Sequence, residues 1–514
     1  MLEIGIHGFV PMLFERILLI HSRTNKVLAL SMGQTMVSLV GLLSGAVTAR
    51  LLTKQDYATW KQTFLAYEFA APLLVLGLYS APYYFLPRSK GDERGIIIDS
   101  LVLLLVMGMV FSAFLFCGGT SLLALRFSNP DLQQTLKWLV LYPLYVMPVG
   151  ILSGVLVSKG RTTALSIYNV LSAVVLVTGI ILATFMTRSF SGPLAVRVLW
   201  PVCLLPISLW LIFSMVRGPW RLPRLASMAA MLKYSVPLGL ATIMGTATLQ
   251  LDKIIVSSMC KPEDLAVYIN GALEIPLIGI LTGSISTVML AEMAELCQRR
   301  DYLGALELFH KASLKSAAVL LPTMCFLLVS GGALMIFLFS SKYAASVVPF
   351  RIFLLILPIR VVFYGPVLMA LGLSRRVLTN SALTLAVSAL LSFLFVPMIG
   401  YVGAAVSLVL ALYLFTVPCY LYHIARGFGI SSLNVLPFKA LGRILWISGV
   451  VSLLPLAAVL LLRSAHVVVQ LAVGGLVYWP LVLWWLHRED YLHIPPSIVL
   501  RLHPLLPRKK DNPV

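Results

Sequence analysis

The chain is short of charge, and shortest of acid. Only 11% of its 514 residues are charged, and 19 Asp and Glu stand against 39 Lys and Arg. Soluble domains carry about 25% charged residues. With 60% of residues hydrophobic, the three soluble domains that this length would otherwise suggest are excluded. Cysteine is scarce and scattered: Cys117, Cys203, Cys260, Cys297, Cys325 and Cys419 form no C-x-x-C pair and have no His-rich partner segment. A zinc site or a disulfide framework is therefore not expected, and most of the six are taken as small apolar fillers. No G-x-x-x-x-G-K-[ST] loop is present, so the chain has no ATPase of its own. Nor is there H-E-x-x-H, G-x-S-x-G or a pair of carboxylates on a soluble face, and neither an enzyme nor a cofactor is expected. His487 and His493 flank Arg488-Glu489-Asp490. Close to Trp479, Trp484 and Trp485, they suit an interfacial anchor better than a metal site.

What the chain does have is long apolar runs. A crossing helix needs about 20 mostly apolar residues, and fourteen stretches qualify: 27–49, 63–86, 96–124, 138–157, 163–186, 196–216, 235–259, 268–292, 314–339, 347–371, 377–396, 401–424, 441–462 and 466–486. The predicted fold class is all-α, a polytopic membrane protein. Residues 1–26 contain Glu3, Glu15, Arg16 and Arg23 and no small-residue cleavage site, so they are expected as a cytoplasmic or interfacial segment, not a removable signal. With the N-terminus inside, 26 basic residues fall on inner segments, 10 on outer loops and three (Lys253, Arg351, Arg360) within crossings. That bias places both termini in the cytoplasm. The net charge of +20 is then mainly an orientation signal, and nucleic acid is not an expected partner.

An internal repeat organises the crossings. Asp56-Tyr57-Ala58-Thr59-Trp60 matches Asp264-Leu265-Ala266-Val267-Tyr268 at an offset of 208, and Ser158-Lys159-Gly160-Arg161 matches Leu373-Ser374-Arg375-Arg376 at 215. Both pairs occupy equivalent topological positions. They predict two six-helix lobes, 27–216 and 235–424, followed by a helix pair at 441–486 and a cytoplasmic tail at 487–514. Six crossings give both lobes the same orientation, the parallel-repeat arrangement in which substrate sits between lobes that rock.

Phe395-Val396-Pro397-Met398-Ile399-Gly400-Tyr401-Val402-Gly403-Ala404-Ala405 resembles the P-x-x-G-x-x-G-A-A turn of the Wzx-type polysaccharide flippases. These belong to the multidrug/oligosaccharidyl-lipid/polysaccharide exporter superfamily. Leu51–Trp60 resembles their first-loop signature, with Ala58 where Gly is frequent, and the resemblance spans residues ~27–425. It implies transport of a polyprenyl-diphosphate-linked oligosaccharide (an exopolysaccharide, capsule or O-antigen repeat unit) across the bacterial cytoplasmic membrane. Glycosyltransferases and a polymerase of the same pathway would be partners, besides membrane lipid. The Gly/Ala turn is assigned to close helix packing and not to substrate. Two rivals are an ion-coupled multidrug antiporter of the same superfamily and a membrane glycan polymerase or ligase. The first would need acidic residues to dominate its cavity; the second would need an acid–base site on a sizeable outer loop.

An ionisable group at mid-bilayer costs about 2.5–3.5 kcal/mol on insertion scales, so it faces a cavity or a partner. Arg360 lies deep in the tenth crossing just after Pro358, which frees a backbone carbonyl. It is a candidate phosphate-binding cation, with an interhelical ion pair as the alternative. Thr242, Thr246, Gln250, Lys253 and Ser257 share a stripe about 80° wide on the seventh crossing. They are candidates to line the same path, although Thr and Ser also bond back to their own helix. Asp252 points about 100° away from Lys253 and is expected to pair with Arg351. Ser31, Gln34, Thr35 and Ser38 form a milder stripe on the first crossing. Glu68 and Glu274 are the remaining buried acids, either proton carriers or salt-bridge partners of Arg360 or Lys253.

Overall fold

The structure, a computed structural model, describes residues 23–89, 91–462 and 465–491. Most of the N-terminal segment, His493 and nearly all of the tail lie outside the described residues, as does the Ser31 side chain. Every regular element among the described residues is helical, and none is a strand. Eleven helices among them are long and apolar enough to cross a membrane, or up to thirteen if each of two bent pairs is one span. A helix satisfies all its backbone groups internally, which is what a hydrocarbon solvent demands. The chain is a multi-pass helical membrane protein. The expected eighth crossing, 268–292, only overlaps a further helix, Pro276–Gln298, which is not among these spans.

The first bent pair joins α2 (Lys54–Val75) to Leu78–Arg88 at 54°; the helix before it is α1 (Arg23–Leu51). Leu76 and Gly77 both take left-handed backbone angles, which no α-helix can contain. The second pair joins Asp131–Trp138 to α5 (Tyr142–Ser158) at 50°, with Pro143 in the new helix's first turn. Between these pairs runs the third crossing, made of α3 (Glu93–Phe114), a π-helical turn at Leu115–Gly119 and α4 (Thr120–Arg126). After α5 come α6 (Thr162–Thr187), α7 (Ser191–Met215) and α8 (Leu225–Met259).

Several helices start earlier than expected, and two of these starts bear on the charges described below. The hydroxyl of Thr53 accepts the Asp56 backbone N–H at 3.0 Å, a cap that begins α2 at Lys54 instead of residue 63. Pro193 lies in the first turn of α7, which begins at Ser191 instead of 196. Both Lys61 and Arg197 were counted with the outer loops; Lys61 is helical, and Arg197, at the edge of its expected crossing, lies in the second turn of α7.

The internal repeat has a backbone counterpart. Asp56 is the third residue of α2, and Asp264 is the third residue of α9 (Pro262–Gly271), where its carboxylate accepts the Lys261 backbone N–H at 3.3 Å. Both act at a helix start. For the second pair the structure shifts the register. Gly160 and Gly372 are the left-handed residues ending two helices. Arg161 N–H donates to the Leu156 carbonyl and Leu373 N–H to that of Leu368. These glycine-terminated turns align at an offset of 212, not 215, because backbone conformation rather than the basic residues defines the turn.

The chain divides into two compact units. One runs through residue 284 and takes in 338–353 and 374–419; the other takes in 285–337, 354–373 and the chain from 420 onward. In the first unit, α8 crosses α2's bend with almost no side chain between the backbones. A Cβ on Gly77 would sit 2.5 Å from the Ser235 carbonyl oxygen, and one on Gly239 would sit 2.4 Å from the Leu76 carbonyl carbon. In lipid, such close packing replaces the missing hydrophobic drive between helices.

The Gly/Ala turn works the same way. It joins α13 (Ser374–Ile399) to α14 (Tyr401–Ala411), if Pro276–Gln298 is α10, Tyr302–Phe339 is α11 and Leu357–Arg360 is α12. A Cβ on Gly403 would sit 2.5 Å from the Phe395 carbonyl. Ala404 and Ala405 are fully buried against Ile255, Val256, Leu265 and Tyr268. In the second unit, the Tyr478 hydroxyl donates to the Pro322 carbonyl at 2.9 Å and lies 3.3 Å from that of Ser448. It ties together α11, α15 (Phe438–Val451) and α16 (Val467–Arg488).

Candidate functional site

Lys61, Phe64 and Glu68 recur at helical spacing along one face of α2. α7 brings Arg197 to that face. Its guanidinium donates to Glu68 at 2.7 Å, and its central carbon stands 3.8 Å from the centre of the Phe64 ring. Such a cation over an aromatic face gains about 0.5–2 kcal/mol, depending on how far it is desolvated. Tyr142, at the start of α5, packs edge-on against Phe64 and Tyr67. Its phenol lies within electrostatic reach of both Arg197 and Glu68.

α8 adds the third cation. The Lys253 ammonium donates to the Gln250 side-chain oxygen at 3.0 Å. Lys61 lies within charge–charge range of Arg197, Glu68 and Lys253, and its ammonium is 4.6 Å from the centre of the Trp60 ring. Arg197 thus pairs with Glu68, whose side chain is 41% exposed, and Lys61 lies within charge–charge range of that pair and of Lys253. Fixed cations of this kind, part-open and beside aromatic faces, suit phosphate oxygens.

Below this cluster α2 and α8 are joined by a buried polar network. Gln62 donates to the Ser257 hydroxyl at 2.9 Å, and Asn129 donates to Gln62 at 2.7 Å and to Thr59 at 2.9 Å. Ser257, placed by its stripe among path-lining residues, is fully buried in this packing contact. The network holds the register between the helices that carry Lys61 and Lys253.

The other expected residues are distributed differently. Asp252 is buried and accepts the Tyr268 hydroxyl at 2.6 Å, so Tyr268 replaces Arg351 as its partner. Arg351 is exposed. Sequence spacing suggested a shared depth, but the rotation that aims a side chain comes from packing. Glu68 pairs with Arg197, not with Arg360 or Lys253. Glu274 lies in the non-helical link between α9 and α10 and is exposed, which corrects its assignment as a buried helical acid. Thr242 bonds back to the Leu238 carbonyl at 3.2 Å; Thr246 is half-buried. Arg360 belongs to the second unit, where it closes the four-residue helix α12 and makes an interaction of its own. The helix break expected at Pro358 is present: the tenth crossing is divided at residues 355–356 and again at 361–363.

A second charged cluster pins the connection between α7 and α8. Arg221 makes a forked pair with the fully buried Asp99, at 2.8 and 3.1 Å, and a further contact with Asp92 at 2.8 Å. Hydrogen bonding to Asp99 raises the guanidinium's pKa above its ordinary value. Glu93 accepts from Lys159 at 2.7 Å and from the Arg217 backbone N–H at 2.8 Å. These basic residues, expected as orientation signals, also clamp the chain.

Arg197 and Lys61 escape a reading by hydropathy, because hydropathy blurs helix ends. The signals that locate them are Ser191-Gly192-Pro193, a helix start with Pro in its first turn, and Thr53-x-x-Asp56, a capping pattern.

A search of curated proteins finds no match. Among solved structures, the lipid II flippase MurJ in an inward closed conformation matches with a TM-score of 0.72 at 14% identity, over 90% of this chain and 99% of that one. An inward-facing multidrug resistance MATE family transporter of the MOP superfamily matches with 0.58 at 13% identity, over 82% and 99%. A MOP superfamily transporter from Pyrococcus furiosus, described as having a binding pocket of reverse polarity, matches with 0.54 at 14% identity, over 78% and 95%. The chain therefore has the fold of these transporters. The family model described as "Polysaccharide biosynthesis protein" matches residues 24–290, more than half of the sequence, and the chain belongs to that family.

Proposed function

We propose that this protein flips a polyprenyl-diphosphate-linked oligosaccharide across the bacterial cytoplasmic membrane by alternating access. The carrying observation is the convergence of Lys61, Arg197 and Lys253 on the Phe64–Glu68 face of α2. A diphosphate leaving water needs its solvation replaced by fixed donors, and an Arg fork matches phosphate oxygens better than any other side chain. Glu68 already occupies part of Arg197. An arriving diphosphate competes with that carboxylate for the guanidinium, so loading and release become an exchange of anions.

In this reading Gln250, Thr246 and Thr242 continue the path along α8, Arg351 supplies further positive charge to it, and Arg360 is a candidate phosphate-binding cation of the second unit. Glu274, Asp252 and Glu68 are the candidate acids for ion or proton coupling, of which Glu68 has the motivating geometry. The lobes 27–216 and 235–424 rock, the helix pair 441–486 is an appendage, and both termini face the cytoplasm. Membership of a polysaccharide biosynthesis family supports an oligosaccharide cargo, made and consumed by glycosyltransferases and a polymerase. The shared fold with a MATE transporter keeps a cation-exporting antiporter as the rival. A cationic drug would meet Lys61 and Lys253 beside a carboxylate already paired with Arg197, which opposes it.

The test is complementation of a strain lacking its lipid-linked oligosaccharide flippase, with membrane abundance measured in parallel. Wild-type protein restores surface polysaccharide, and Arg197→Ala or Lys61→Ala at equal abundance does not. Normal complementation by both variants would remove the anionic-cargo reading. Drug resistance conferred by the wild type, without complementation, would install the antiporter instead.

A further inference from the structure

The first unit contains an apolar cavity of about 380 Å³ between α2, the third crossing, α8 and α13. That volume falls within the roughly 300–1,000 Å³ of ordinary small-molecule sites. Ala70, Phe111, Phe114, Leu123, Leu251 and Phe393 line it, and one cation, Arg126, stands among them. Arg126 ends α4, so it lies at the opposite end of the third crossing from Glu93 and its clamp. Its side chain is exposed and makes no hydrogen bond or ion pair among the described residues.

The backbone is shaped to build this cavity. The π-helical turn at Leu115–Gly119, with Gly118 at φ +109°, inserts one residue into the crossing. In an uninterrupted helix, Leu122 and Leu125 would continue the face begun by Phe111 and Phe114. After the insertion Leu123, Arg126 and Phe127 continue it, while Leu122 and Leu125 turn outward, 60% and 80% exposed. One backbone irregularity therefore places an arginine at the rim of an apolar slot.

We infer that this slot holds one acyl chain of an anionic membrane phospholipid, with the lipid's phosphate on Arg126. A guanidinium at a crossing's end can hold a phosphodiester by charge-assisted hydrogen bonds while the apolar gap beside it takes the acyl chain. A single arginine complements a monoanionic phosphodiester. The diphosphate cargo proposed above would leave charge unmatched here, whereas Lys61, Arg197 and Lys253 offer it three cations. The site is thus distinct from the cargo path and does not depend on the identity of the cargo.

The full-length protein, purified and presented with dioleoyl phosphatidylglycerol or dioleoyl phosphatidylcholine, tests this by native mass spectrometry of retained lipid. Wild type retains one phosphatidylglycerol with a preference of about fivefold, the factor one basic side chain contributes near a membrane surface. Arg126→Gln brings the ratio to about one while still retaining a chain, and Ala70→Phe lowers retention of both lipids. Leu125→Ala, on the outward face, changes neither. Equal retention of both lipids by wild type, or an unchanged preference in Arg126→Gln, overturns the site; that variant alters only an exposed rim, so its arm stands even where Ala70→Phe fails to fold. Displacement of phosphatidylglycerol by equimolar polyprenyl diphosphate overturns the occupant.

Discussion

Arg197 makes its ion pair, its ring contact and its approach to Tyr142 from one position near the start of α7. Replacing it with Ala removes charge-assisted hydrogen bonds worth about 1.5–3 kcal/mol each, so transport by Arg197→Ala should fall at least tenfold. Arg197→Lys keeps the charge but loses the fork, and should recover only part of the rate. Glu68→Gln frees the guanidinium without emptying the site. It should tighten binding of the lipid-linked cargo and slow its release, a split visible in single-turnover transport by reconstituted vesicles. Equal binding by wild type and Glu68→Gln would sink the exchange mechanism. Lys253 was legible as a candidate site residue because it lies deep within an apolar run. Arg197 and Lys61 were not, since each lies within two turns of a helix start that hydropathy alone misplaces.

At the scale of elements, the crossing of α8 over the bend after α2 depends on two missing side chains. Gly239→Ala forces a methyl against the Leu76 backbone and should destabilise the protein by about 1–3 kcal/mol, the range for overpacking. Gly41→Ala on α1, where a Cβ meets nothing within 4 Å, should be neutral in the same detergent melting experiment. The clamp provides a second comparison. Arg221→Ala leaves Asp99 buried with a major partner gone and should cost about 3–5 kcal/mol. The double variant Arg221→Ala with Asp99→Asn should recover part of that loss, because no uncompensated carboxylate remains. Additive losses in the double-mutant cycle would show that the pair is not coupled. Of these elements, the Gly/Ala turn and the Pro358 break were legible from short motifs. The bend at Leu76–Gly77 was not, because its cause is contact with a helix more than 150 residues further along the chain.

For the whole molecule, the surplus of basic residues on the inner set of segments between crossings predicts orientation. A fluorescent reporter fused at the C-terminus should be bright and an alkaline phosphatase fused there inactive; the reverse would overturn the cytoplasmic placement of the termini. The sequence by itself determined the membrane class, the helical fold and the approximate placement of most crossings. In lipid those follow from local hydropathy and from the need to satisfy each backbone group within its own segment. Tertiary structure decided which charges meet. Lys61, Glu68, Arg197 and Lys253 come from three helices, and Asp252 turns to Tyr268 instead of Arg351. A shift of one residue rotates a side chain by about 100°, and only the packing of neighbouring helices sets that rotation.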